Sequence, residues 1–99
     1  MIERNDKKGK TEQELFFEEL RRMQDFVIGV SLCKQDKYKS TEEMLEDVTC
    51  ETICRMCAMI DGYGNNSTKY KLVNAQNGNI LNENLELHDQ CVDYLRYTE

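Results

Sequence analysis

The sequence predicts an α+β domain in which two long helices, a β-hairpin and a C-terminal helix (α-α-β-β-α) surround one core. Two stretches repeat apolar residues every three or four positions behind capping sequences, which is typical of amphipathic helices. Further on, Asn77-Gly78 separates two short apolar runs, a pattern that favours a hairpin turn. The 99 residues have the length of one domain. We divide them into a flexible tail at residues 1–10 and a domain at residues 11–99.

The first predicted helix begins at Thr11, because Thr11 and Glu14 have the spacing of a capping box. A helical stripe of apolar side chains follows, formed by Phe16, Leu20, Met23, Val27 and Val30. Residues 26–33 are apolar all round, so periodicity leaves open a buried helix end or a short strand. We favour the helix because the stripe continues in phase through Val30.

The second predicted helix runs from a cap at Ser40, with Glu43 three positions later, to Gly62, which readily ends helices in the left-handed conformation. Its apolar residues recur on one face, and its acidic residues recur on the opposite face. We expect the apolar face to share a core with the stripe of the first helix, and the residues on it are Leu45, Val48, Ile53, Met56 and Ile60.

The hairpin has two candidate registers around Asn77-Gly78. A two-residue turn would place Ala75 opposite Ile80, whereas a four-residue loop over residues 75–78 would pair Val73 with Ile80. We favour the four-residue loop because it matches apolar residues better on each face. A lone two-stranded hairpin is only marginally stable, so it must lie on the helices or extend another sheet.

Residues 84–97 predict a third helix that packs on the first two. Leu87, Cys91, Tyr94 and Leu95 fall along one side of this segment. The acidic residues of the segment lie together elsewhere.

The formal net charge is −6 and is unevenly spread, since residues 1–10 carry a balance of +2 and the remaining 89 residues −8. Because nucleic-acid affinity comes largely from Lys and Arg contacts to phosphate, we expect no direct nucleic-acid binding. No apolar stretch approaches the length of a membrane span, so we expect no membrane association. A basic protein is the partner that this charge favours.

Five cysteines, an odd number with three inside one predicted helix, are not typical of a secreted disulfide scaffold. We therefore expect reduced thiols and a cytoplasmic location. Cys50, Cys54 and Cys57 have the spacing that holds an iron–sulfur cluster in radical S-adenosylmethionine enzymes, where the ligands lie on a loop. Seven helical residues rise about 10 Å, so one helix offers at most two neighbouring thiols to an ion. We expect small core-edge hydrophobes with Cys57 largely buried, and neither a metal nor a cofactor.

His88 is the single histidine, so any His-based catalysis must use it. It lies three residues before Cys91, which permits contact on a helix, but catalytic Cys–His pairs usually come from separate elements. We interpret His88 as a surface or edge residue. The chain has no phosphate-binding glycine loop and no nucleophile elbow, so we predict that it is not an enzyme.

The remaining candidates are two groups of acidic side chains that follow helical spacing. They are Glu43, Asp47 and Glu51 in the second helix, and Glu86, Asp89 and Asp93 in the last segment. Carboxylates arranged in this way favour an arginine-rich partner surface, although a solvated helix face has the same pattern.

The sequence therefore predicts a small acidic interaction protein that binds, and inhibits or adapts, a larger basic protein, of the kind that a phage or mobile element encodes. The alternative is a small-ligand or metal-responsive domain that uses Cys50, Cys54 and Cys57, with Cys91 or His88 supplied by the last helix. A homodimer is compatible with both hypotheses, because the hairpin has an edge that can pair with a second copy.

Overall fold

The structure, a computed structural model, describes residues 10–97. The predicted tail at residues 1–10 therefore lies almost entirely outside the described residues. The described part is mainly helical, and its helices are α1 (Glu12–Lys34), α2 (Thr41–Ala58) and the short α3 (Leu87–Gln90).

The helices α1 and α2 pack against each other and are joined by a short 3-10 turn at Gln35–Lys37. After α2 the chain makes one π-helical turn at Met59–Tyr63 and then runs without regular secondary structure to Glu86. We call residues 86–97 the C-terminal segment. It consists of α3, a 3-10 turn at Cys91–Tyr94 and the residues that flank them, and it packs on α2.

Both predicted helix starts are confirmed by their capping hydrogen bonds. Thr11 Oγ1 accepts the Glu14 N–H at 3.1 Å, and Glu14 Oε1 accepts the Thr11 N–H at 3.1 Å. Ser40 Oγ accepts the Glu43 N–H at 3.2 Å, while Glu43 Oε1 accepts the N–H of Lys39 at 3.0 Å. These bonds satisfy amide groups that a helix leaves without intrahelical partners at its N-terminus.

The favoured helical assignment of residues 26–33 is also confirmed, since all of them lie within α1. The predicted stop at Gly62 is confirmed as well. Gly62 has a φ of +105°, a conformation that side-chain-bearing residues rarely adopt. It lies inside the π-helical turn that ends the α2 region.

The predicted β-hairpin is wrong, and with it the α+β class, because residues 10–97 contain no β-strand. Val73 and Ile80, the pair that the favoured four-residue loop predicts, do form one isolated antiparallel bridge. The Leu81 N–H donates to the Leu72 carbonyl and the Asn74 N–H to the Asn79 carbonyl, both at 2.8 Å, but no further residue pair in the described part of the chain makes it a strand. The buried Asn82 explains this: its Oδ1 accepts the Leu72 N–H at 2.9 Å, and its Nδ2 donates to the Tyr70 carbonyl at 2.9 Å. A side chain thus occupies the backbone groups that a second strand would have paired.

The predicted third helix over residues 84–97 is wrong in length, because α3 covers only Leu87–Gln90. No side chain caps its N-terminus, and the following turn Cys91–Tyr94 is 3-10. Helices this short are not stable in isolation. The C-terminal segment therefore keeps its shape through its contacts with α2.

The predicted core face of α2 is wrong in phase. Leu45 is 53% exposed and Met56 is 39% exposed, whereas Cys50 is buried. On a helix Cys50 shares a face with Glu43 and Asp47, so this face turns inward and the predicted outer acids lie at its edge. Buried apolar side chains in residues 10–97 are confined to Val27, Cys50 and Met59.

No helix in the described part of the chain combines the length and the apolar character needed to cross a membrane.

Candidate functional site

The acidic residues predicted on α2 are all half-buried and all have partners within the chain. Asp47 Oδ2 lies 3.0 Å from Lys34 Nζ and accepts a hydrogen bond from the Tyr38 hydroxyl. Glu51 Oε2 lies 2.5 Å from Arg55 Nε. The hydrogen bonds from Tyr38 and Lys34 hold the pKa of Asp47 below its ordinary value, although burial opposes them.

Two of the three acids predicted in the C-terminal segment surround His88. Asp89 Oδ1 lies 3.3 Å from His88 Nε2, and Glu86 Oε1 lies 3.7 Å from the same nitrogen. Glu86 Oε2 also accepts a hydrogen bond of 2.8 Å from the Tyr63 hydroxyl. The third predicted acid, Asp93, is exposed.

The sequence reasoning missed Asp61, which is buried beneath His88. Asp61 Oδ2 lies 2.7 Å from His88 Nδ1 and accepts the His88 backbone N–H at 2.9 Å. Burial alone would raise the pKa of Asp61, but the N–H groups of His88 and Leu87 outweigh it and lower that pKa. The Asp61 hydrogen bond in turn raises the pKa of His88, helped by the nearby charges of Asp89 and Glu86.

The only sign of this role in the sequence is that Asp61 directly precedes Gly62, the glycine that ends the helix. Its partner His88 lies 27 positions away along the chain. His88 is accordingly an edge residue held by carboxylates, as its ring is 29% exposed. Its ring faces Asp61, while its backbone carbonyl lies 4.0 Å from the Cys91 sulfur. The imidazole and the thiol therefore do not form the contact that a Cys–His nucleophile requires.

Four cysteines collect beside this group of carboxylates. Cys54 Sγ lies 3.2 Å from Cys91 Sγ and 4.0 Å from Cys50 Sγ. Cys57 is close enough to Cys91 for the two thiols to influence each other's ionisation. Because Cys50, Cys54 and Cys57 are spaced by four and three residues, they share one face of α2. We call these four residues the thiol cluster.

All five cysteines are free thiols, and Cys33 is exposed on α1 apart from the cluster. Cys50 is buried, whereas Cys57, which we predicted to be largely buried, is half-buried. Burial and the contact with Cys91 raise the pKa of the Cys54 thiol to about 12. Burial, followed by the neighbouring Cys91, raises that of Cys57 to about 11. Both thiols are therefore protonated near neutral pH.

The thiol cluster and the carboxylates around His88 both lie where the C-terminal segment meets α2. Glu86, His88 and Asp89 have ligand atoms within 4.8 Å of one another, an arrangement that can hold a metal ion. The fold and this junction define a small helical domain in which a short terminal segment is docked on a two-helix scaffold. Comparisons of the chain with protein-family models, with curated proteins and with solved structures found no match.

Proposed function

We propose that this protein is a small acidic interaction protein, acting in the reducing setting of the cytoplasm, that binds and thereby inhibits or adapts a larger, basic protein. The observation that carries the proposal is the apolar surface of α1. Ile28 is 50% exposed and Leu32 is 61% exposed, and both lie on the same side of the helix as the exposed Phe17. Ile28 and Leu32 lie one helical turn apart, and exposed apolar side chains that adjoin in this way mark sites of protein association.

A groove of about 650 Å³ on the other side of α1 supports the same proposal. Phe26 lines it and stacks under the Arg55 guanidinium, which lies 4.0 Å from the ring centroid. Tyr63 also lines the groove and is largely exposed. Aromatic and arginine side chains that lie next to a groove are the residue types that dominate binding energy at interfaces.

The net charge of −6 favours a basic partner, since complementary charge sets encounter rate and orientation. The acids proposed to contribute remain Glu43, Asp47, Glu51, Glu86, Asp89 and Asp93. Most of them already hold a cation or a donor within the chain. They therefore contribute to binding through the overall field more than through direct contacts.

The first experiment tests the apolar surface. The protein is immobilised, retained proteins are recovered from host extract across a salt series, and the recovered partner is then purified for affinity measurements. Changing Ile28→Ser together with Leu32→Ser should weaken that affinity by about tenfold or more, because buried apolar contacts are lost. Gln24→Ser, a matched change of the exposed and polar Gln24 between Phe17 and Ile28, should leave it unchanged. Equal affinity of all three proteins would contradict the proposal.

The second experiment tests the acidic residues. Glu43→Gln, Asp47→Asn and Glu51→Gln together remove three negative charges from α2. A control with Glu12→Gln, Asp36→Asn and Glu83→Gln removes the same charge from exposed positions. If the α2 acids act locally, the first variant loses more affinity than the control at low salt and the difference shrinks at high salt. Equal losses would assign the effect to net charge alone.

The observation that favours the alternative function, a metal-responsive domain, is the contact between Cys54 and Cys91.

A further inference from the structure

We propose that the thiol cluster is a binding site for a thiophilic d10 cation, Zn²⁺ or Cu⁺, in which Cys54 and Cys91 are two ligands and a second thiolate of α2 is the third. This inference goes beyond the proposed interaction function and does not depend on it. It rests on the convergence of four of the five cysteines from two separate elements.

The sulfur separations fit a shared ion. Thiolates around a tetrahedral zinc with Zn–S bonds near 2.3 Å lie about 3.8 Å apart. Cys54 Sγ is 3.2 Å from Cys91 Sγ and 4.0 Å from Cys50 Sγ, so the two contacts fall on either side of this value. No three of the cysteine sulfurs in residues 10–97 lie within 4.8 Å of one another, so the third ligand must reach the ion by rotation of a cysteine side chain.

The fold also supplies a thiol from outside α2, which the spacing of the cysteines along one helix requires. A regular helix offers an ion at most two neighbouring thiols, because residues seven positions apart are separated by about 10 Å. Cys91 belongs to the C-terminal segment and reaches the middle of the α2 row, next to Cys54 and Cys57. Cys50 and Cys57 lie on opposite sides of Cys54 along the helix, and the third ligand is one of these two.

A cation at this position would crosslink the C-terminal segment to α2. The segment contains a four-residue helix without a side-chain cap, which cannot be stable by itself. Its other ties to α2 include the exposed side chain of Arg96, which lies 3.3 Å from Glu46 and 3.6 Å from Glu42. Binding that occurs only in the docked state stabilises that state. The bound cation therefore adds to the stability that the contacts with α2 already give the docked segment.

Binding exchanges protons for the cation without any change of oxidation state. A thiol that coordinates the metal gives up its proton. One Zn²⁺ or Cu⁺ that forms three metal–sulfur bonds therefore releases three protons to the buffer. The affinity must fall as pH falls, because protons compete for the same sulfur atoms.

The group formed by Glu86, His88 and Asp89 is the competing site, and its donor atoms differ from those of the thiol cluster. It offers two carboxylates and one ring nitrogen, and Asp89 is exposed. Thiolates select Zn²⁺ and Cu⁺, whereas carboxylates suit harder cations. We therefore assign a thiophilic cation to the cysteines, and variants of both groups decide between them.

The test uses the full chain, fully reduced and free of metal, equilibrated with Zn²⁺ or, without oxygen, with Cu⁺. After removal of excess metal, we expect about one equivalent of one of these ions per chain and about three protons released per ion. Cys54→Ser and Cys91→Ser should each weaken affinity by about 100-fold or more, since even changes behind the ligands cost 10–100-fold. Cys33→Ser is the matched control and should bind as the wild type does.

Two further pairs of variants locate the ion. Either Cys50→Ser or Cys57→Ser should weaken binding at least about tenfold, and Glu86→Gln with Asp89→Asn should leave it unchanged. Circular dichroism of each variant without metal verifies that the helices are intact. The proposal would be overturned if the wild type retained neither ion, or if Cys54→Ser and Cys91→Ser bound the ion with wild-type affinity. Loss of ion binding in the protein with Glu86→Gln and Asp89→Asn would overturn it as well.

Discussion

His88 Nδ1 lies 2.7 Å from the carboxylate of Asp61, which is 4% exposed and also accepts the His88 backbone N–H. One buried carboxylate thus holds both the backbone and the ring of the second residue of α3. With Glu86 and Asp89 facing the other ring nitrogen, His88 sits among three acidic groups. This relationship fixes where the C-terminal segment begins against the π-helical turn that follows α2.

Stability at this junction should depend on pH in two opposite directions. The pKa of His88 is raised above 6.5, so its contribution is complete below pH 6.5 and is lost as pH rises through the raised value. The pKa of Asp61 is lowered below 3.8, so its contribution is present above pH 3.8 and is lost as pH falls through the lowered value. Both contributions are therefore complete between pH 3.8 and 6.5.

The measurement is the melting temperature across pH for the wild type and for His88→Gln. Glu86, Asp89 and Asp61 are the charged groups that face the ring, and the Tyr63 ring packs edge-on against it at 5.0 Å. The wild type should exceed the variant most at pH 5 to 6, and the difference should narrow toward pH 9. A constant difference across this range would show that the charge of His88 contributes nothing.

Asp61→Asn should loosen the C-terminal segment by about 1–3 kcal/mol, because a buried acceptor of two hydrogen bonds loses its charge. Hydrogen exchange at the amides of residues 86–97 is the direct measurement, since the His88 N–H is itself one of the protected groups. Asp93→Asn makes the same change of charge at an exposed position and should leave exchange unaltered. Equal protection in the two variants would contradict the structural role of Asp61.

Gly64→Ala should destabilise the domain by about 1–3 kcal/mol. A Cβ at Gly64 would lie 2.7 Å from Glu19 Oε2 and 3.1 Å from Met59 Cγ. Glu19 is buried and accepts the Asn65 N–H at 2.7 Å, so it cannot move away without losing that bond. Urea denaturation gives the free energy of unfolding, and an unchanged value would mean that the loop after α2 is free to shift.

Gly29→Ala is the matched control for the glycine experiment. Gly29 lies inside α1, and a Cβ there would meet nothing within 4 Å. Alanine at an open helix position should stabilise the protein by about 0.5–1 kcal/mol. We therefore expect Gly64→Ala to lower the free energy of unfolding and Gly29→Ala to raise it. Both replace glycine with alanine, so the difference reports the surroundings of each position.

Asp47→Asn should cost about 1 kcal/mol, more than Glu51→Gln, which should cost less than about 0.5 kcal/mol. Asp47 is the more buried of the two and joins α2 to the end of α1 through Lys34 and Tyr38. Glu51 pairs only with Arg55, four residues later on its own helix. Chemical denaturation of both variants compares them, and equal costs would show that the tertiary pair adds nothing to the local one.

The two long helices were predictable because the signals that define them are local. A cap such as Thr11 and its partner Glu14 lie within one helical turn, so their hydrogen bonds form wherever the rest of the chain goes. The same holds for Gly62, whose positive φ follows from the absence of a side chain. These features are properties of segments of a few residues.

The hairpin prediction was wrong because a side chain forms the hydrogen bonds that a second strand would have formed with the backbone. The runs before and after Asn77-Gly78 have strand-like sequences, but the amide of Asn82 satisfies the groups of Tyr70 and Leu72 that a partner strand would have used. Asn side chains offer the backbone such alternatives to regular structure. Which partner the backbone takes depends on burial of Asn82, which no local pattern reveals.

The prediction of which face of α2 is buried was wrong for a related reason. Large apolar residues such as Leu45 and Met56 outweigh Cys50 in any periodicity argument, yet the structure turns Cys50 inward and leaves the larger two exposed. The acidic residues on the inward side can lie there because each finds a partner, as Asp47 does in Lys34. The partners of Asp47 come from outside α2, so the sequence pattern of α2 alone does not contain them.

By itself, the sequence determined where the two long helices start, the stop at Gly62, the acidic balance and the row of thiols on one face of α2, since all of these depend on composition or on spacing within a few turns. Only the tertiary structure decided which face of α2 is buried, that Asp61 holds His88, and that Cys91 joins Cys54. The Asp61–His88 and Cys54–Cys91 contacts span 27 and 37 residues along the chain. The physical reason is that such pairings depend on how the chain between them is routed, which is set by the packing of the whole domain.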